Sequence, residues 1–292
     1  IKYVEYRREK KSTRTHQYAK PATIIRENNT LRAFLNWCYT TGRIKKQLTL
    51  PTIKSKENRY DDDGNPIFED LSGKRDAFTS DEVKLIFSTL QQEIKNEVNQ
   101  HNRRRKELLY NYISILYETG IRPVELRALT WKNYVADYGE GGLFVNVYSR
   151  KQNNKRNIAL SPNLVKLLNN LYQQQKEFCR QHNLPFNDED INIISLCNGN
   201  EAKNHYEIKA VKEFDNGFRR LLDRCGIKHI NNKVLYSFRH YYITSLVQNE
   251  TPTLTIAKQC GTSAKMIEQY YDQSSHLADM KQLFIKPIQV AV

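Results

Sequence analysis

The chain has 292 residues, which is long for one compact core and comfortable for two domains. A formal net charge of +14 favours a polyanionic partner, most commonly nucleic acid; a basic surface that binds nothing is the alternative. Five cysteines without a CxxC spacing argue against a disulfide scaffold and a zinc site, and they predict buried, reduced thiols. The sequence lacks a signal-peptide pattern and an apolar run of about 18 residues, so we expect a soluble cytoplasmic protein.

Most of the excess charge lies in the first 60 residues, which hold 15 Lys+Arg against 4 Asp+Glu. After a break at Pro21, apolar and aromatic residues recur at helical spacing over residues 23–41, and Gly42 is placed to end that helix. The pattern predicts a small basic helical module over residues 1–56. The first residue is Ile rather than Met, which leaves open whether an upstream segment, such as an arm-type DNA-binding domain, precedes it.

Residues 57–76 are polar and contain Asp-Gly and Asn-Pro turn signals without sustained periodicity. We interpret them as an interdomain linker, with a packed loop as the alternative. The residues from Thr79 to Glu82 form a capping-box pattern, so a second domain is predicted over residues 77–275. Its first long core helix is expected at residues 108–119, ended by Gly120, and a further helix is expected to begin at Pro123 and to continue to Trp131.

The next segments of the second domain alternate between strand and helix patterns. Residues 143–148 and 157–160 alternate as strands around a polar turn, which predicts a β-hairpin. Helices are predicted over residues 161–182 and 211–225, while the short apolar run 191–196 is ambiguous. The tail, residues 276–292, carries an amphipathic pattern that predicts docking on a neighbouring copy or on its own domain.

Four motifs carry residues suited to chemistry. The first, residues 120–130, contains Arg122, and the second is the basic turn 149–156. The third, residues 235–244, places Arg239 in an apolar and aromatic helical segment, where an arginine has to be paired or directed at an anion. The fourth, residues 261–272, ends in a tyrosine pair. In this order the motifs resemble those of the tyrosine recombinases, the family that includes phage and genomic-island integrases, over roughly the C-terminal two thirds of the chain.

The resemblance implies a mainly α fold with a small antiparallel β-sheet. An N-terminal SAM-like helical core-binding domain would precede a tyrosine recombinase catalytic domain, the fold of DNA breaking-rejoining enzymes. In such a core-binding domain, basic side chains contact phosphates. The candidates for these contacts, each with a solvated charged surface as the alternative, are Arg26, Arg32, Arg43, Lys45 and Lys46.

The resemblance also implies roles in phosphodiester cleavage. Arg122 and Arg239 would contact the nonbridging phosphate oxygens, because a planar guanidinium stays charged and binds bidentately. Lys151 aligns with the family's lysine in the hairpin turn and would protonate the leaving 5′-oxygen; Lys155 is the alternative. Glu125, three residues after the first arginine, matches the acidic residue that orients it.

The nucleophile implied by the resemblance is Tyr271, ten residues after Gly261. Its neighbour Tyr270, which would point about 100° away on a helix, is the alternative.

Two positions depart from the commonest family pattern. The first position of the His-x-x-Arg motif is Tyr236, and the later His or Trp position is Thr262. A tyrosine is a poor proton acceptor at neutral pH, although its hydroxyl, like that of Thr262, can donate a hydrogen bond to phosphate. The group that replaces the usual base therefore stays open. His240 is a further candidate, either as a contributor or as a packed supporting residue.

The implied activity is site-specific recombination of double-stranded DNA attachment sites through a 3′-phosphotyrosyl intermediate and a Holliday junction. The family works as a homotetramer on two duplexes, with no metal or cofactor, and accessory DNA-bending or directionality proteins are expected partners. Integration or excision of a mobile element, on the bacterial nucleoid, is the expected use. Two alternatives stay open: a sequence-specific DNA-binding protein whose catalytic site has decayed, and a DNA-relaxing enzyme similar to type IB topoisomerases.

Overall fold

The computed structural model describes Tyr6, Lys10 and residues 21–50, 59–60, 66–67, 77–149, 153–200, 204–227 and 233–270. The chain divides into two compact units, Ile1–Lys74 and Arg75–Val292. The elements in chain order are α1 Pro21–Thr40, β1 Arg59–Tyr60, β2 Pro66–Ile67, α2 Ser80–Asn96, α3 Gln100–Thr119, α4 Pro123–Leu126, a 3-10 helix Trp131–Asn133, β3 Tyr134–Tyr138, β4 Gly141–Ser149, β5 Asn154–Leu160, α5 Pro162–Gln181, β6 Ser195–Asn200, β7 His205–Ala210, α6 Asp215–Arg224, α7 Ser237–Gln248, α8 Thr253–Cys260 and α9 Ala264–Tyr270.

The described part of the first unit is built around α1. Ile24 and Cys38 are buried on one side of this helix, and Gly42, with a φ of 71°, follows its end. The Arg43 N–H and the Ile44 N–H both donate to the Cys38 carbonyl, which folds the chain back after the helix. The predicted helix over residues 23–41 is confirmed to within two residues.

The second unit packs around α3, whose residues Tyr112, Ile113, Ile115 and Leu116 are almost completely buried. Each side chain of this size contributes about 1.5–3 kcal/mol when it is removed from water. The helix contacts α2, α5 and α7 as well as strands β5 and β6, and it ends at Gly120, whose left-handed φ of 60° suits glycine. The predicted core helix and its stop are therefore confirmed, and α3 fixes where the next residues begin.

Strands β3, β4 and β5 form an antiparallel sheet in that order. The predicted hairpin is β4–β5, and the capping box that begins α2 is also confirmed, because the Glu82 N–H donates to Thr79 Oγ1 at 3.2 Å and the Thr79 N–H donates to Glu82 Oε2 at 2.8 Å. The sequence analysis missed β3 and the second hairpin, β6–β7. Strand β3 is largely exposed and β7 is at most half-buried, so neither has the apolar run of a buried strand, although residues 205–210 of β7 do alternate polar and apolar side chains.

The helix after Pro123 is shorter than predicted, because it ends at Leu126. The Ile193 N–H donates to the Leu129 carbonyl at 3.0 Å, and the Trp131 N–H donates to the Ile191 carbonyl at 3.1 Å. These two bonds draw the backbone into a bridge with residues 191–193. Trp131 therefore lies in a 3-10 helix rather than on a continuous helix with Glu125.

All five cysteines are free thiols, but Cys197 and Cys225 are only partly buried, so the prediction of full burial is wrong for those two. Among the helices that the structure describes, none combines the length and hydropathy that crossing a bilayer requires. A search of the described residues for three or more His, Cys, Asp and Glu side chains arranged around a metal position finds none.

Candidate active site

The first site arginine, Arg122, lies between the end of α3 and the start of α4. Its backbone N–H donates to Glu125 Oε2 at 3.2 Å, and its Nη1 donates to Glu125 Oε1 at 2.8 Å. Nη1 is also 3.5 Å from the Ser149 hydroxyl at the end of β4, and Nη2 donates to the carbonyl oxygen of Gly261. One guanidinium thus contacts three separate segments of the second unit.

The Glu125 carboxylate is shared by two arginines. Arg156, on β5, donates from Nη1 to Glu125 Oε1 at 3.2 Å and from Nη2 to Glu125 Oε2 at 2.7 Å. Burial pushes the pKa of Glu125 upward, but the hydrogen bonds and charges of Arg156 and Arg122 outweigh it, and the pKa lies below its ordinary value. The carboxylate is therefore ionised at neutral pH and orients both guanidiniums.

The second site arginine, Arg239, is buried in α7. Its Nη1 donates to the Gly120 carbonyl at 2.7 Å. Gly120 precedes Arg122 by two residues, so the backbone at the end of α3 positions both arginines. Burial raises the pKa of the Cys260 thiol, and the charges of Arg239, Arg156 and Arg122 partly oppose this rise. The charges of all three guanidiniums therefore act on the same buried thiol.

Two glycines allow this close packing. A Cβ on Gly120 would lie 2.4 Å from Cδ1 of Tyr242, and a Cβ on Gly261 would lie 2.7 Å from Cζ of Arg156. Both residues also have positive φ, 60° and 61°. Neither position can take a side chain without moving a site residue or its neighbour.

The residues at the two unusual positions lie in the second unit near the arginines. Tyr236 is the residue before α7, and its ring centroid is 6.0 Å from Cζ of Arg239. His240 packs edge-on against Tyr236, with ring centroids 5.1 Å apart, which fits a supporting role. Thr262 is half-buried directly after Gly261, and its N–H donates to the Ala257 carbonyl at 3.1 Å.

Lys151 and Tyr271 lie outside the described residues, so their predicted roles stay predictions. Lys155, the alternative lysine, is exposed on β5, where it pairs with Tyr148 of β4. Tyr270 is the last residue of α9, the helix that leads to Tyr271. The structure therefore describes the backbone on both sides of the hairpin tip and on the approach to the tyrosine.

The predicted phosphate contacts of the first unit are mostly exposed. Arg26, Lys45 and Lys46 are open to solvent, and Arg43 lies over the Trp37 ring, with Cζ 4.6 Å from its centroid. Arg32 differs, because it is half-buried and its Nη2 donates to the Leu50 carbonyl at 3.2 Å. Part of its hydrogen-bonding capacity therefore serves to hold the segment after α1.

Sequence reasoning missed three residues of this site. Arg156 was noted only as the last residue of the basic turn 149–156, yet it bridges three segments. Ser149 is buried beside Arg122, and Gln259 contacts β5 through both its side chain and its carbonyl. The sequence does contain a signal for Arg156: it lies two residues before the buried Ile158 on an alternating strand, so its side chain is on the same face. No local pattern marks the other two.

Comparison with solved structures finds the same fold in a site-specific recombinase and in a transposon integrase. The XerH site-specific recombinase, solved bound to its difH substrate before cleavage, is similar over 97% of this chain and 68% of that chain, at 14% identity and a TM-score of 0.59. The Tn1549 transposon integrase, solved with circular intermediate DNA, is similar over 91% of this chain and 80% of that chain, at 16% identity and a TM-score of 0.58. No curated protein sequence matched the chain.

The family model described as the phage integrase family matches residues 76–276. The match includes the whole arginine site as well as Lys151 and Tyr271. The chain belongs to the phage integrase family and is a tyrosine-type site-specific recombinase. The predicted family and the predicted fold class, mainly α with a small antiparallel sheet, are confirmed.

Proposed function

We propose that this recombinase cuts and rejoins DNA at attachment sites through a 3′-phosphotyrosyl intermediate, for the integration or excision of a mobile element. The observation that supports the proposal is the placement of Arg122 and Arg239, whose guanidiniums are held by the backbone carbonyls of Gly261 and Gly120, the latter of which lies two residues before Arg122. Two permanently charged forks are suited to hold a phosphodiester by its nonbridging oxygens and to stabilise the charge that develops in the transition state.

The proposed chemistry begins with attack of the Tyr271 hydroxyl oxygen on phosphorus, with loss of the hydroxyl proton to solvent. The bond from phosphorus to the 5′-oxygen breaks, and Lys151 supplies the proton that this oxygen needs to leave. The strand is then joined to Tyr271 through a 3′-phosphate, beside a free 5′-hydroxyl. Attack by the 5′-hydroxyl of a partner strand reverses the step, restores the tyrosine and balances the reaction without nucleotide hydrolysis or a metal ion.

The surrounding side chains support this step in the proposal. Glu125 keeps Arg122 in place, and the hydroxyls of Tyr236 and Thr262 donate hydrogen bonds to the phosphate. His240 supports the Tyr236 ring, against which it packs. A hydroxyl can donate to a phosphate oxygen at neutral pH, so neither departure from the common histidine pattern prevents transition-state stabilisation.

Assembly and DNA contact complete the proposal. Four copies act on two duplexes, and two rounds of strand exchange pass through a Holliday junction. The basic side chains of the first unit contact phosphates, and the excess positive charge of the chain supplies the salt-dependent part of DNA affinity. Accessory DNA-bending or directionality proteins, and action on the bacterial nucleoid, belong to the same proposal.

Covalent trapping tests the proposal. A duplex recovered from a random-sequence pool by binding selection is synthesised with nicks at successive positions, so that cleavage releases a short fragment and leaves the strand on the protein. The wild type and the Tyr271→Phe and Tyr270→Phe variants are incubated with it without metal or nucleotide. We expect an adduct on denaturing gels from the wild type and Tyr270→Phe but not from Tyr271→Phe.

Each other outcome of the trapping experiment has a distinct meaning. An adduct that Tyr270→Phe abolishes and Tyr271→Phe retains would move the nucleophile to the neighbouring residue. Adduct formation with relaxation of supercoiled DNA but no strand exchange between two duplexes would favour a topoisomerase-like enzyme. Binding without any adduct, at every nick position, would overturn the proposal in favour of a decayed DNA-binding protein.

A further inference from the structure

Arg156 joins three segments of the second unit through a single side chain. Its two terminal nitrogens contact the two oxygens of Glu125, and its Nε donates to the Gln259 carbonyl at 3.1 Å. The side chain is 10% exposed, so these bonds lie in a largely dry environment, where charged hydrogen bonds are strong and directional. Only a guanidinium offers this planar set of donors, and a lysine cannot reproduce it.

Gln259 makes the complementary contact from the last turn of α8. Its side-chain Oε1 accepts from the Ala159 N–H at 3.0 Å, and its Nε2 donates to the Ala159 carbonyl at 3.1 Å. Strand β5 is last in the sheet order β3-β4-β5, and the Gln259 amide pairs with its outer edge as a neighbouring strand would. Arg156 and Gln259 therefore bind each other's segments in both directions.

Gly261, two residues after Gln259, lies against the Arg156 side chain. A Cβ there would meet Cζ, Nε and Nη1 of Arg156 at 2.7–2.8 Å, so the guanidinium rests against its backbone. The Gly261 carbonyl also accepts from Arg122. Helix α9 begins three residues later and leads to Tyr270 and Tyr271. Residues 261–271 are called the tyrosine segment. A shift of Arg156 or Gln259 would therefore displace both the Arg122 contact and the start of this segment.

We infer that Arg156 and Gln259 form a clasp between β5 and α8. This clasp positions the tyrosine segment against the β4–β5 hairpin, which carries Lys151, during DNA cleavage. Neither is a catalytic residue, because both act through the groups they hold. The inference rests on the proposed function, since it assigns the clasp to the cleavage step. A buried arginine pair on one carboxylate is poor evidence for a purely stabilising role, because desolvation offsets most of its electrostatic gain.

Two conservative variants test the clasp. Arg156→Lys keeps the charge but loses the fork, and Gln259→Leu keeps the size but loses both hydrogen bonds to Ala159. We expect the single-turnover rate of adduct formation, at saturating nicked duplex, to fall by about 10- to 100-fold, because small misplacements of reacting groups have effects of this order. The DNA dissociation constant should stay unchanged, which separates misplacement of the tyrosine from a loss of binding.

Matched controls come from contacts of the same kind elsewhere. Arg224 makes a fork pair with Glu93, and Gln181 bonds to Glu177 from α5. Arg224→Lys and Gln181→Leu should cleave at the wild-type rate. If both clasp residues work through one arrangement, the double variant Arg156→Lys/Gln259→Leu should be no slower than the slower single variant. Losses that multiply would show two independent roles and overturn the clasp.

Hydrogen exchange tests the clasp in the absence of DNA. Gln259→Leu should speed exchange of the Ala159 amide while the Ile158 amide, on the same strand, keeps its protection and the melting temperature stays the same. Unchanged Ala159 exchange would overturn the clasp. A wild type that forms no adduct would overturn the proposed function and, with it, the clasp's role in cleavage. Wild-type adduct formation with unchanged rates in both variants would overturn the clasp alone.

Discussion

Two groups of ionic side chains in the second unit contrast in composition and exposure. The Glu125 cluster, defined as Arg122, Glu125 and Arg156, holds two guanidiniums on one carboxylate whose side chain is 5% exposed. The Glu93 cluster, defined as Glu93, Glu97, Lys106 and Arg224, matches two carboxylates with two cations, and its Arg224 side chain is 46% exposed. The first cluster carries an excess positive charge and its side chains are 5–16% exposed. The second cluster has balanced charges and its side chains are 18–46% exposed.

The difference shows which cluster is available for an anion. Balanced surface pairs are weakly stabilising and leave no unmet charge. Two largely buried guanidiniums on one carboxylate cost desolvation free energy, and the excess charge is best compensated by a further anion. Arg239 adds another guanidinium, which is held by the carbonyl of Gly120, two residues before Arg122. We therefore propose that Arg122 and Arg239 bind the phosphate while Glu125 and Arg156 hold Arg122 in place, whereas the exposed group holds α2, α3 and α6 together.

The largest expected effect is on catalysis by Arg239→Lys. A lysine keeps the charge but cannot contact the Gly120 carbonyl and two phosphate oxygens together. We expect the single-turnover cleavage rate to fall by about 100- to 1,000-fold, the range for loss of one transition-state donor. A quench-flow time course of adduct formation measures it. A rate within threefold of wild type, about 0.7 kcal/mol in barrier height, would remove Arg239 from the reaction.

The second largest expected effect is on the free energy of unfolding, and it compares the two clusters directly. Glu125→Gln removes the carboxylate between two largely buried guanidiniums, so the free energy of unfolding should fall by about 3 kcal/mol. Glu93→Gln, at the wetter cluster, should cost no more than about 1 kcal/mol. Urea titrations of both variants make the comparison. Equal losses from the two substitutions would show that burial does not distinguish the clusters.

A smaller effect is expected from Arg224→Ala, which removes the fork pair with Glu93. The free energy of unfolding should fall by at most about 1 kcal/mol, because this pair is half-exposed. The cleavage rate should equal that of the wild type. A tenfold slower cleavage with an intact fold would mean that the exposed cluster also takes part in the reaction.

The smallest effect is a pH dependence. The pKa of Glu125 is lowered in the folded state, because the bonds and charges of Arg156 and Arg122 outweigh burial. A lowered folded pKa contributes stability that is fully present above the unfolded pKa and is lost as the pH falls through the folded pKa. The stability advantage of wild type over Glu125→Gln should therefore shrink only on acidification below the ordinary glutamate range. An advantage that shrinks between neutral and mildly acidic pH would contradict the lowered pKa.

Local patterns in the sequence were sufficient to predict several elements. The capping box at Thr79, the stop at Gly120 and the β4–β5 hairpin depend on residues that are near one another in the chain, so their signals are readable. The short α4 was not predictable, because it ends where the chain pairs with residues 191–193. Similarly, the Glu125–Arg156 pair spans 31 positions and the Arg156–Gln259 contact spans 103, and such contacts depend on tertiary packing.

The central claim is that the buried arginines compensate the charge of a scissile phosphate. The most direct test compares cleavage by the wild type and Arg239→Ala on two nicked duplexes, one with the natural phosphodiester and one with a neutral methylphosphonate at the cleavage position. We expect the variant to be slowed by about 100-fold or more on the phosphodiester and far less on the neutral linkage, which carries no charge to compensate. An equal loss on both substrates would contradict the claim and assign Arg239 to the fold alone.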